Sequence, residues 1–212
     1  KLALTTGNDI SREWTRLDEH IISAGINDKH AFQFGSFEPM LQMGAYTEYR
    51  TRKYNTREFI YNWNASGNAM PEGFRYMSIP ELLSNTANFG LDKLYLLEQM
   101  NMRNDYIGHN TLGAGYLVVS LPFNKLGIYA GVRFEHNKME LVSNTKDTEE
   151  SHVSTYYKNT DFFPSLNATY RFDDKNQMRA SYGRSINRPE FREVSSSVYY
   201  DFDLASNVQG NP

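Results

Sequence analysis

The chain has no cysteine among its 212 residues, so neither a disulfide framework nor a thiolate metal site is available to it. It also lacks a long clean apolar run. The best candidate, "YIGHNTLGAGYLVVSLPFN" at 106–124, is interrupted throughout by Gly, Asn, His, Thr, Ser and Pro, which excludes a membrane-spanning helix. An excess of either charge sign is missing too: 22 Lys and Arg against 25 Asp and Glu leave a net charge of -3. Such a balance gives no basic field for nucleic acid, and no nucleic-acid partner is expected. There is no GxSxG, no glycine-rich phosphate loop, no HExxH and no EF-hand loop, so the chain is not expected to be an enzyme or to hold a cofactor or metal. His20, His30, His109, His136 and His152 are far apart in sequence. Asp173-Asp174 belongs to a turn and Glu149-Glu150 to a polar loop.

What is present is aromatic residues, 15 Tyr and 13 Phe, and alternation. In "LGIYAGVRFEHN", Leu126, Ile128, Ala130, Val132 and Phe134 fall on one side of a strand, and Gly127, Tyr129, Gly131, Arg133 and Glu135 on the other. Leu166, Ala168, Tyr170 and Phe172 alternate with Ser165, Asn167, Thr169 and Arg171. Met178, Ala180 and Tyr182 oppose Arg179, Ser181 and Gly183. Leu41, Met43, Ala45 and Tyr49 oppose Gln42, Gly44, Tyr46, Glu48 and Arg50. Short connections at "GSFE", "FNK" and "DDKN" carry turn residues, and the other connections are long.

These patterns predict an all-β antiparallel up-and-down meander of about six strands. Hairpins are expected at about 17–57, 105–142 and 157–186, with long loops at about 58–104, 143–156 and 187–212, the whole of 1–212 forming one partial barrel domain. One short helix is expected at "SIPELL", where Ser78 and Glu81 can form a capping box and Pro80 sits in the first turn. A soluble sandwich also alternates. Its outer face is rich in Lys, Glu and Thr, whereas the polar face here mixes Gly, Tyr, Asn, Arg and Glu. A lipid-facing apolar side, a wet lumen, and tight turns alternating with long loops characterise an outer-membrane barrel. About six strands fall short of the smallest closed membrane barrel, so the chain is expected to be a piece of a larger wall. The start "KLALTTGNDISREW" has no initiator Met and no leader pattern, and processing or truncation is expected to have removed the true start.

In "ASYGRSINRPEF", residues 180–191, the alternation runs into Pro189, which lacks the ladder donor and biases Arg188 towards an extended or turn conformation. The ladder must end or bulge there, leaving Arg184, Arg188 and Arg192 at the base of a loop. Two roles stay open for them: clamping an anionic ligand, or pairing with Glu190, Glu193 or neighbouring loops at the rim. Tyr170, Phe172, Phe162 and Phe163 are candidates for an interfacial girdle or for ordinary packing, and Tyr199, Tyr200 and Phe202 for stacking on a ligand or within their own loop. No catalytic, cofactor, metal or ligand-binding residue is assigned.

"FFPSLNATYRFDDKNQMRASYGRSINRPEFREVSSSVYYDF" followed by "GNP" resembles the late barrel of TonB-dependent outer-membrane receptors in the form common in Bacteroidetes, and "GAYTEYRTRKYNTREF" and "LGIYAGVRFEHNKMEL" resemble earlier strands. The resemblance implies a barrel of about 22 strands with a plugged lumen in a Gram-negative outer membrane. It also implies an energy-coupling box that contacts TonB, and import of a scarce nutrient: a siderophore, metal complex, glycan or peptide. The expected partners are outer-membrane lipid, TonB through a part of the parent absent from this sequence, and the nutrient. No plug, coupling box or closing strand is recognised in these residues. The alternatives are a passive outer-membrane barrel or surface binding protein, or a soluble lipocalin-like or sandwich domain.

Overall fold

A computed structural model describes residues 10–63, 70–99, 101–144, 152–201 and 203–210. Its elements are β1 (Ile10–Ala31), β2 (Met40–Trp63), α1 (Glu72–Arg75), α2 (Ile79–Ser84), β3 (Leu94–Gln99), β4 (Tyr106–Pro122), β5 (Leu126–Asn144), β6 (His152–Arg171), β7 (Gln177–Gly183), β8 (Val198–Asp201) and β9 (Ser206–Gln209). A curled antiparallel sheet runs in the order β1-β2-β4-β5-β6-β7, with β3 also on β2, and β8 and β9 form a separate hairpin. The expected all-β meander is the architecture found.

Directly opposed residues share a face in an antiparallel sheet, so the register sorts every side chain. One face carries the rows Ile26-Ala45-Gly115-Phe134-Phe162, Asp28-Met43-Leu117-Val132-Pro164, His30-Leu41-Val119-Ala130-Leu166-Tyr182, Leu121-Ile128-Ala168-Ala180 and Leu126-Tyr170-Met178, apolar from β2 to β7 and broken by Asp28 and His30 on the edge strand β1. These five rows occupy β5 from Leu126 to Phe134, a rise of roughly 30 Å, which matches a strand crossing the hydrocarbon layer. Their side chains lack a protein partner layer: Ile26 is 72% exposed, Phe134 51% and Leu166 44%. An apolar patch this continuous is not stable against water, and it is the surface that hydrocarbon solvates. Beyond Phe134 the same face turns polar, with Thr111, Lys138 and Lys158 in one row, so β4 to β6 continue into water above the belt.

The tight turns lie at the other end of the belt. Gly35, at φ 65°, takes the left-handed conformation that closes the β1–β2 turn beside the paired Phe34 and Phe37. In the β6–β7 turn the Asp173 carboxylate accepts from the backbone N–H of Lys175 and of Asn176, each at 2.8 Å. The Asn176 side-chain amide donates to the same carboxylate at 2.9 and 3.0 Å, and this bond first, then the two backbone bonds, stabilises the charged form and holds the Asp173 pKa below the ordinary aspartate range.

The long-loop end is richer than the sequence suggests. β1 starts at Ile10 and β2 runs to Trp63, so the hairpin outgrows 17–57 at both ends. The connection expected as a loop from 58 to 104 contains β3, which pairs Leu94 to Gln99 with Trp63 to Glu58 and continues the line of β4 along β2. Ser78 caps α2 with the expected box, its backbone N–H bonding Glu81 at 3.1 Å, and α1 is a second short helix. Trp63, Met70, Leu82 and Leu94 form a small core that anchors this segment.

Candidate functional site

The inner wall carries charge where the outer face carries hydrocarbon. At the height of the belt the inward rows include Tyr46-Ala114-Glu135-Asp161 and Tyr116-Arg133-Phe163. These polar side chains satisfy one another: Tyr46 donates to Glu48 at 2.7 Å, the Tyr116 hydroxyl donates to Asn27, and Arg133 pairs with Glu135; above the belt on the same face Arg52 pairs with Glu19.

Across this wall lies the segment that begins at the end of β7. The last ladder bond runs from the Arg184 N–H to the Pro164 carbonyl at 3.2 Å, so the strand expected to reach 186 stops short of it and the ladder ends five residues before Pro189. Residues 184–197 then form a strap over β6, β5, β4 and β2. Arg188 reaches the wall itself, Nη2 lying 2.7 Å from Glu135 Oε2 and 3.2 Å from Asp161 Oδ2. Glu190 sits 3.6 Å from Arg52 and 3.9 Å from Arg50. Phe191 is 2% exposed and packs with Tyr106, Met139, Leu141 and Val194. It fits because Gly108 is beneath it: a Cβ there would stand 2.5 Å from the nearest atom of the Phe191 ring. Ser196 Oγ donates to the Asn144 carbonyl at 2.8 Å, and the Asn104 side chain accepts from the Val198 N–H at 2.9 Å.

The strap does not seal onto the wall. A cavity of about 200 Å³ remains between them, lined by Arg50, Asn110, Asn137, Tyr157, Asn159 and Arg188. Arg50 Nε and Arg188 Nε are buried there without hydrogen-bond partners, each carrying a desolvation cost of about 1–3 kcal/mol. Amides, guanidinium groups and a tyrosine share this void with the carboxylates of Glu48 and Glu190 and with apolar Leu112, Met139 and Phe191, a mixed surface able to hydrogen-bond a guest on its polar side.

The three arginines that follow β7, Arg184, Arg188 and Arg192, have separate fates. Arg188 pairs with wall strands rather than with Glu190 or Glu193 at the rim, and Arg192 lies 3.2 Å over the Tyr199 ring. Arg184 supplies the final backbone bond. Glu190 finds its cations on β2, and Glu193 accepts from the Glu190 N–H at 3.0 Å. The Gly108–Phe191 pair was not anticipated; a glycine inside an otherwise regular strand is the signal that marks close approach. Tyr170 and Phe172 pack edge to face at the tight-turn end, joined there by the stacked Phe37 and Phe123. Phe162 points outward at the top of the belt and Phe163 inward beneath Arg188. His109 meets the Tyr49 hydroxyl and His136 the Thr160 hydroxyl. Among the described residues no three metal-ligating side chains converge. Glu149, Glu150, Phe202, Asn211 and Pro212 lie outside the described residues.

A sequence model of an outer membrane protein beta-barrel family matches residues 73–212, about two thirds of the chain. The chain belongs to that family. Its outward apolar rows and polar inner wall are then the lipid-facing and lumen-facing sides of an outer-membrane barrel wall. No curated protein matches the chain.

Proposed function

We propose that this wall belongs to a TonB-dependent receptor of a Gram-negative outer membrane, of the Bacteroidetes type, that binds and imports a scarce nutrient such as a siderophore, metal complex, glycan or peptide. The observation that supports the reading is the strap: a segment pinned against the inner wall through Arg188 and Glu190 suits a lumen that is obstructed rather than freely open. The many inward polar groups suit a lumen that contacts solute and further protein. The chain itself performs no covalent chemistry in this reading. Its partners are outer-membrane lipid, the solute, and TonB through another part of the parent protein. A passive barrel of the same family is the competing reading.

The test is growth of a strain deleted for the parent gene on limiting amounts of each nutrient class, in parallel with a strain lacking TonB. Loss of uptake of one nutrient in both strains is the expected result. Uptake lost in the deletion strain but retained without TonB assigns a passive barrel, and normal uptake of every nutrient in the deletion strain removes the transport reading.

A further inference from the structure

We propose that the long-loop mouth carries a groove that binds organic cations, through their ammonium or guanidinium groups. Glu13 and Glu58 are direct cross-strand partners in β1 and β2, and Gln99 of β3 is opposite Glu58 on its other side. All three share the inward face. They form one bank of a groove of about 590 Å³ whose other bank is the β8–β9 hairpin. That volume falls within the range of small-molecule sites.

Three independent features give the groove its chemistry. First, like charges placed directly opposite on a sheet are destabilising, and neither carboxylate has an ion-pair partner among the described residues; no Lys or Arg lines the groove. Second, the Thr56 hydroxyl oxygen and the Asn101 amide oxygen, both on groove-lining residues, are buried with no hydrogen-bond partner. An acceptor held out of water in this way is costly until a donor arrives. Third, the groove's own Tyr199 already holds a guanidinium, Arg192, against its ring. A ligand with positive charge and several N–H donors answers the carboxylate pair, and the lining residues Gln99, Asn104 and Asn207 offer amide oxygens to its remaining donors. An inorganic ion fits less well, because only two charged ligands converge and the space is many times the size of an ion.

The groove's importance to the cell rests on the receptor reading, but its binding does not. Calorimetric titration of the full chain in detergent micelles with agmatine and with spermidine separates the two. Both amines are expected to bind, while maltose and citrate do not. Glu58→Gln and Glu13→Gln are each expected to weaken amine binding about tenfold or more, and Asp174→Asn at the opposite end leaves it unchanged. Without ligand, Glu58→Gln is expected to raise the unfolding midpoint, since it removes repulsion; this separates a lost site from a damaged fold. Absence of amine binding, amine binding indifferent to both substitutions, or a calcium signal dependent on Glu13 and Glu58 where the amines give none would each overturn the assignment. A negative growth assay leaves the isotherm standing, and a flat isotherm leaves nutrient import standing.

Discussion

The hydrocarbon-high part of the sheet and the strap region above it solve opposite problems with the same strands. In the belt, apolar residues face out and the inner side is polar, so stability comes from lipid on one side and mutual hydrogen bonding on the other. Around the strap, the largest buried apolar contact is inside, where Phe191 meets Tyr106, Met139 and Leu141. β5 passes through both regions without changing its alternation: Val132 and Phe134 look outward, while Glu135, Met139 and Leu141 look inward. The difference teaches that the lumen is partly packed protein, held by a few interactions, whereas the wall is held by a continuous ladder.

Substitutions that act on one region alone sharpen this contrast. The largest expected effect is at Phe191: Phe191→Ala removes the strap's apolar anchor and costs about 3–5 kcal/mol of strap docking. Hydrogen exchange should then speed at Ser195 and Ser197 while β5 stays protected. Equal acceleration in both would show that strap and wall are one cooperative unit. In the belt, Val132→Arg is expected to cost about 2–4 kcal/mol of folding stability, read as a lower denaturation midpoint in lipid vesicles. The same change at outward Lys138 or Lys158, above the belt, costs almost nothing.

Next is Arg188→Ala, which leaves Glu135 and Asp161 facing the lumen without this cation. A cost of about 1–3 kcal/mol in strap docking is expected, moderated because Glu135 keeps Arg133. A double-mutant cycle with Asp161→Asn checks it, and additivity would show the pair is idle. The smallest effect is at the exposed β6–β7 turn. Because the folded Asp173 pKa is depressed, its stabilisation is present above the ordinary aspartate range and is lost as pH falls through the lower folded value. The amide resonances of Lys175 and Asn176 should titrate there, and Asp173→Asn should abolish the titration.

The belt was legible in the sequence because period-two alternation is a local signal, set by residues two apart. The Ser78–Glu81 cap was legible for the same reason. β3 was not: "LYLLEQ" is short and mostly apolar, and only the extra length of β2 gives it a partner. That the ladder stops before the Arg188-Pro189 pair was readable, but β7 already ends at Gly183, and the destination of the chain beyond it was not legible. Arg188 meets Glu135 across 53 positions of sequence, and charge alone does not choose among 25 acidic residues. The Glu13–Glu58 opposition likewise depends on register, which a one-residue slip would abolish.

The absence of cysteine makes the decisive measurement simple. Single cysteines placed in turn from Leu126 to Glu135, spin-labelled and reconstituted into vesicles, report contact with dissolved oxygen in lipid and with a water-soluble nickel chelate. The account requires oxygen contact at 126, 128, 130, 132 and 134 and nickel contact at the positions between them. A profile without that alternation, or with its phase reversed, would contradict it.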